Sequence, residues 1–162
     1  MFLKRRRIYF FLCLLSCHKT TTSSHDVAQT FVQKVSSNQM EELLRQSPPK
    51  EILDSIMVCT EKGEENLITA MKKAEEGVDR KQRDFRKYFP KMKYISSSMT
   101  KVQQVQRGDT KGGCIVSRDF DIVHMQVLIQ YSLTSIRKTH LQIDLLSVDS
   151  HYYILDVHHE EH

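Results

Sequence analysis

The feature that most constrains this chain is a change of hydrophobic period at Pro90. Before it, apolar residues recur every three or four positions, the spacing of one helix face. After it they recur every second position, the spacing of a half-buried strand. Val27, Phe31 and Val35, with Ala28 and Val32 beside them, draw a helical stripe. Val123, Met125, Val127, Ile129 and Tyr131 alternate with more polar neighbours; Leu141, Ile143 and Leu145 do the same, and so do Tyr153, Leu155 and Val157. No single element type satisfies both periods. Helices first, then strands with short connections, imply an α+β fold: N-terminal helices packed on a C-terminal antiparallel sheet of about four strands.

Local signals divide the helical half. Ser23 or Ser24 can cap the first helix, and Asp26 suits its first turn. Asn38 and Glu41 form a capping-box pair for a second, short helix carrying Met40, Leu43 and Leu44. Ser47-Pro48-Pro49 stops that helix and starts a third, lined by Ile52, Leu53, Ile56 and Met57, with Cys59 near its end. Gly63 is expected to end the third helix. Glu64-Glu65 opens a fourth with Leu67, Ile68, Met71 and Ala74 inward, and Gly77 closes it. Asp79 then caps a last, basic helix carrying Phe85, Tyr88 and Phe89. In the second half, 96–106 is polar with Val102 and Val105 as anchors, and turns are expected over 108–113, at Arg137-Lys138 and over 147–151.

The N-terminus reads as an export signal. Lys4-Arg5-Arg6-Arg7 is a positive stretch, followed by an apolar run from Ile8 to Leu15 and a small residue, Ser16, before Cys17. Eight apolar residues reach about 12 Å as a helix, against the roughly 20 residues a membrane span needs. Leu14-Leu15-Ser16-Cys17 resembles the lipobox of bacterial lipoproteins. That resemblance implies a signal peptide over 1–16 and acylation of Cys17. The small polar residues that follow read as a flexible tether over 17–24, and the length left suits a single domain over 25–162. The resemblance also implies a lipid anchor in the cell membrane or outer membrane, with the domain outside the cytoplasm.

Export changes the reading of charge and of cysteine. The formal +4 resides in Lys4, Arg5, Arg6 and Arg7; without them 20 basic residues face 20 acidic ones. The basic isoelectric point is therefore no pointer to a nucleic-acid partner. Cys13 falls in the signal and Cys17 carries the lipid, which leaves Cys59 and Cys114. In an oxidising compartment they are a candidate disulfide; the other reading is two buried thiols acting as small apolar residues.

The order of elements also resembles the nuclear transport factor 2-like (cystatin-related) cone. A long helix over 27–35 and an Asn-capped short helix over 38–44 open the chain, and the aromatic-apolar strand Tyr152-Tyr153-Ile154-Leu155-Asp156-Val157 closes it. The resemblance implies a curved sheet with a cavity, in which enzymes of this shape keep an Asp or His. The helical stretch between Pro49 and Phe89 is longer than the family usually carries, and such extra helices would fill that cavity.

Four groups of residues bear on chemistry. His151, His158, His159 and His162, with Glu160 and Glu161, have the side chains of a metal site, but their place at the terminus fits a solvated polar tail. His124 reads as a satisfied sheet residue. Asp119 and Asp121 have the two-residue spacing of paired carboxylates and suit a strand entry in solvent. Residues 72–93 carry nine basic side chains against four acids, and Arg80, Lys81, Arg83, Arg86 and Lys87 form a candidate basic patch around Phe85, Tyr88 and Phe89. There is no nucleophile elbow, phosphate loop, dinucleotide fingerprint or zinc-ligand pair, so neither a cofactor nor a metal is expected. The expectation is a lipid-anchored binding or interaction module for an envelope protein or small ligand. The alternative is a small-ligand or enzymatic cone with Asp121 or His124 in its pocket.

Overall fold

A computed structural model describes residues 23–37, 39, 47–132 and 134–159. The signal stretch, Cys17 and the short helix expected after Asn38 lie outside the described residues. Among the described residues three helices are seen, α1 (Ser24–Ser37), α2 (Lys50–Ile56) and α3 (Glu61–Tyr88). The strands are β1 (Met57–Cys59), β2 (Lys93–Val105), β3 (Thr110–Lys111), β4 (Cys114–Val116), β5 (Phe120–Ser132), β6 (Ile136–Val148) and β7 (His151–His159). They form two antiparallel sheets, ordered β2-β5-β6-β7 and β1-β4-β3. The expected α+β class is the one found, with a small second sheet added to the four-stranded one.

Ser23 caps α1. Its hydroxyl accepts from the Asp26 N–H at 3.1 Å, and Asp26 Oδ2 accepts from the Ser23 hydroxyl at 2.7 Å and from the Ser23 N–H at 3.1 Å. Those bonds hold the Asp26 carboxyl below the usual carboxylate range. The helix therefore begins at Ser24, inside the stretch read as tether. Its apolar stripe of Val27, Ala28, Phe31, Val32 and Val35 is buried, as the helical period requires.

The helix boundaries between 56 and 88 differ from expectation. The third expected helix stops at Ile56, because Met57 is already extended (φ −137, ψ 144), and Cys59 sits on β1. From Glu61 a single helix of 28 residues runs through Gly63, Gly77 and Asp79 to Tyr88, about 42 Å long. Gly63 is not a stop. Thr60 is the cap, and its hydroxyl accepts from the Gly63 N–H at 3.2 Å. Gly63 is needed for close approach: a Cβ there would lie 2.4 Å from the carbonyl oxygen of Gly113. An interior glycine such as Gly77 costs only about 1 kcal/mol relative to alanine. The fixed ends of α3 outweigh that.

Two buried clusters flank the four-stranded sheet. On the inner face, Val123, Met125, Val127, Ile129, Leu141, Ile143, Leu145 and Val157 meet the α1 stripe, Phe85, Phe89 and Met92. Phe31 packs edge-on against Phe85 with centroids 6.1 Å apart, and Phe89 packs edge-on against Tyr131 at 5.1 Å. Leu146 and Val148 are also buried although the alternation turns them to the other face. There, Leu53 and Ile56 of α2 cover them, with Met57, Leu67, Met71, Phe120 and Tyr153 at the margin.

The small sheet is tied to this second cluster. Cys59 and Cys114 are direct cross-strand partners joined by a disulfide, with an S–S distance of 2.02 Å. The Thr60 N–H and hydroxyl both donate to Gly113 O at 3.1 Å, and the Ser117 N–H donates to Ile56 O at 2.9 Å. Arg118 grips both Asp149 carboxylate oxygens at 3.0 and 3.2 Å and reaches the Ser55 hydroxyl at 3.1 Å.

Candidate functional site

The outer face of the four-stranded sheet is the best-defined polar surface among the described residues. Residues directly opposite on antiparallel strands share a face, and two polar rows result. One is Lys101, His124, Asp144 and Asp156, on β2, β5, β6 and β7 in turn; the next is Ser98, Gln126, Gln142 and His158. The even positions of β5 are polar or half-buried because the odd positions carry the core, so period two itself builds the surface.

His124 Nδ1 lies 2.7 Å from Asp144 Oδ1, with 29% and 23% of the two side chains exposed. The carboxylate accepts, so Nδ1 holds a proton and Nε2 faces away from this bond. The Thr100 hydroxyl donates to the His124 carbonyl at 3.1 Å, which bridges the bulge in β2. In the second row His158 Nε2 is 2.5 Å from Gln142 Oε1. Side chains across three strands are thereby held in fixed orientations rather than left free in solvent.

Other residues singled out from the sequence take structural places. The Asp119 carboxylate accepts the Arg107 N–H at 2.7 Å just ahead of β5, a loop tie. Asp121 pairs with Ser147 and Gln104 on the inner side of the strand, away from His124. His158 and His159 are not a frayed tail. Both belong to β7, and the His159 ring lies tilted against that of Phe89 with centroids 5.0 Å apart. His151 Nδ1 donates to Asp149 O at 2.9 Å inside the β6–β7 turn. Among the described residues no group of three or more His, Cys, Asp or Glu side chains is placed to hold a metal ion, and no helix is long and apolar enough to cross a membrane.

Of the basic patch, Arg83, Arg86 and Lys87 are exposed beside the buried Phe85, while Arg80 and Lys81 have side chains outside the described ones. Tyr88 is exposed with Lys87 Nζ over its ring, so it is no core anchor. The patch stands where Pro90 O accepts the Ser132 N–H, at the far end of β5 from Phe120. A groove of about 390 Å³ opens between α1 and the start of β2, lined by Gln29, Val32, Gln33, Ser36, Met92 and Tyr94 among others. Neither His124 nor Asp121 lines it.

Sequence reasoning missed the partner of His124. The signal was available: every β5–β6 pair from Asp121–Ser147 to Ser132–Ile136 is symmetric about residue 134. Centring that hairpin correctly, rather than on Arg137-Lys138, brings residues 124 and 144 together. The chain Tyr94 OH, Ser97 Oγ and His25 Nδ1, with steps of 2.8 and 2.7 Å, was also not foreseen. It fastens the start of α1 to β2. Compared with known proteins, the chain matches no family model, no curated sequence and no solved structure.

Proposed function

We propose that the chain is a binding module anchored to a membrane through acylated Cys17, and that it meets a protein partner in the cell envelope through the outer face of its four-stranded sheet. The observation that carries the reading is the pair of ordered rows there, with His124 held by Asp144 and His158 by Gln142. Oriented donors and acceptors on a rigid sheet lose little entropy when they are engaged. The inner face of β5 and β6 is occupied by packed side chains, which supports a surface contact over an enclosed pocket there. The proposed relation to the nuclear transport factor 2-like cone rests on the order of helices before an antiparallel meander, and it extends to the fold alone.

A photo-reactive side chain placed at position 126 of the full chain in intact cells tests the contact surface. The expected result is one discrete protein adduct, weakened by Gln142→Ala and His158→Ala and absent when the label stands at position 33 on α1. Equal labelling from both positions would sink the proposal. Cys17→Ser tests the anchor, and the expected outcome is loss of the chain from the membrane fraction.

The alternative, a catalytic cone, has one observation in its favour: a 2.7 Å His–Asp contact is the geometry of a base and its orienting carboxylate. That pair lies on an open face. It would call for a substrate bound to the sheet surface, detectable as a shift of the His124 ring signals on titration with candidate ligands.

A further inference from the structure

The anchoring proposed above leaves open which side of the domain faces the bilayer. Ser36 Oγ donates to Met92 O at 2.7 Å, and His25 Nδ1 lies 2.7 Å from Ser97 Oγ. Eleven helix residues and five strand residues each span about 16 Å, so α1 runs alongside β2 in the opposite direction. The described residues thus begin where the start of α1 lies against Ser97. Six residues from Cys17 reach at most about 20 Å to Ser23. The lipid therefore holds this end of α1 close to the bilayer.

Past Ser97, β2 continues beyond α1, and its inner side carries Met99 and Val102 opposite the buried Met125 and Val123. Met99 is 47% and Val102 46% exposed, although their cross-strand partners are 1% and 3% exposed. Lys101 stands exposed between them and points to the outer face. Two apolar side chains and a lysine on an edge strand, beside the lipidated end, match the apolar–cationic make-up of a surface lying at a lipid headgroup boundary. The basic end of α3 is about 17–30 Å away along β5, judged from Gln130 and Ser132 against Met125 and Val123.

We propose that the β2 segment around Met99, Lys101 and Val102 lies on the bilayer and is seated more deeply in it than the basic end of α3. The proposal rests on acylation of Cys17. It leaves the outer rows of the sheet at an angle to the membrane, open to a partner in the envelope.

The chain contains no tryptophan, so one introduced tryptophan is an unambiguous reporter. Full chains carrying Met99→Trp, Val102→Trp or Tyr88→Trp, all at exposed positions, are purified from membranes. They are then placed in phosphatidylcholine–phosphatidylglycerol vesicles containing chain-brominated phosphatidylcholine. The mass of the N-terminal peptide reports acylation. The expected result is an acylated Cys17, with blue-shifted and strongly quenched emission for Met99→Trp and Val102→Trp and clearly weaker quenching for Tyr88→Trp. Stronger quenching of Tyr88→Trp, or none at any of the three positions in an acylated chain, would overturn the orientation alone. An unmodified Cys17 would overturn the anchoring and the orientation with it.

Discussion

The two faces of the four-stranded sheet are held by different means. On the inner face, α1 and the last turn of α3 bury a continuous layer of large apolar side chains, with Phe31, Phe85, Phe89 and Tyr131 interlocked. Shape and area suffice there, at roughly 25 cal/mol per Å² of apolar surface removed from water. The second cluster buries only Leu53, Ile56, Leu146 and Val148 outright. Around it stand the Cys59–Cys114 bond, the Thr60 and Gly63 contacts with Gly113, and the Arg118–Asp149 fork. A small core does not fix the position of its elements by packing alone. Covalent and backbone ties supply the positions instead.

That contrast can be broken from either side. Phe85→Ala should cost about 3–5 kcal/mol, as for a buried aromatic in a continuous core, read as a fall in the urea midpoint. Removing both thiols, Cys59→Ala with Cys114→Ala, opens a loop with a sequence separation of 55 residues; the chain-entropy model puts the loss at about 4 kcal/mol, and measured cases more often at about 2–4. If the double variant melts with the wild type, the second cluster holds itself and the contrast fails. Gly63→Ala sharpens it further. The new methyl group meets Gly113 backbone, and a net loss of about 1–3 kcal/mol is expected from overpacking despite the gain of about 1 kcal/mol in helix propensity. A more stable Gly63→Ala chain would mean that the approach of α3 to the turn is loose.

Smaller effects belong to the surface. Arg83→Ala should change stability by no more than about half a kcal/mol, because the side chain is exposed beside the anchor that does the packing; a loss comparable with Phe85→Ala would show the helix face to be misassigned. The Asp26 carboxyl is held low by Ser23. Its folded-state pKa lies below the unfolded one, so its contribution is present above the ordinary carboxylate range and lost as pH falls through that range. The protection of the Val27 amide relative to its intrinsic exchange rate, in the first turn of α1, should fall as the pH falls there, and Asp26→Asn should remove that dependence.

Much of the fold was legible because local patterns and the tertiary structure agree. The stripe from Val27 to Val35 and the alternation in β5 and β6 each name the face that is buried, since one period per element leaves a single way to hide the apolar side. In β7 the expected row of Tyr153, Leu155 and Val157 fails: a register shift between Ile154 and Asp156 puts Tyr152, Ile154 and Val157 on the core side, sends Tyr153 to the second cluster and leaves Leu155 exposed. The Ser23–Asp26 cap and the turn at Asp149-Ser150 were legible for a related reason: they satisfy backbone groups within a few residues. The pairing of Cys59 with Cys114 was visible only as one of two readings, because a composition names the thiols and not their distance. Helix boundaries over 57–88 were misread at glycines whose role is set elsewhere. Nothing within reach of Gly63 in the sequence announces Gly113, fifty residues on.

The sequence by itself determined the class of the fold and the buried faces of α1, β5 and β6, because these depend on the order and periodicity of residues along the chain. Only the tertiary structure decided that α3 is continuous, that His124 faces Asp144, and that Met99 and Val102 stand uncovered past the start of α1. Each of those depends on which strands pair, in which register, and where one element ends against another. These are relations between distant segments, set by the free energy of the whole packed molecule and carried by no local pattern.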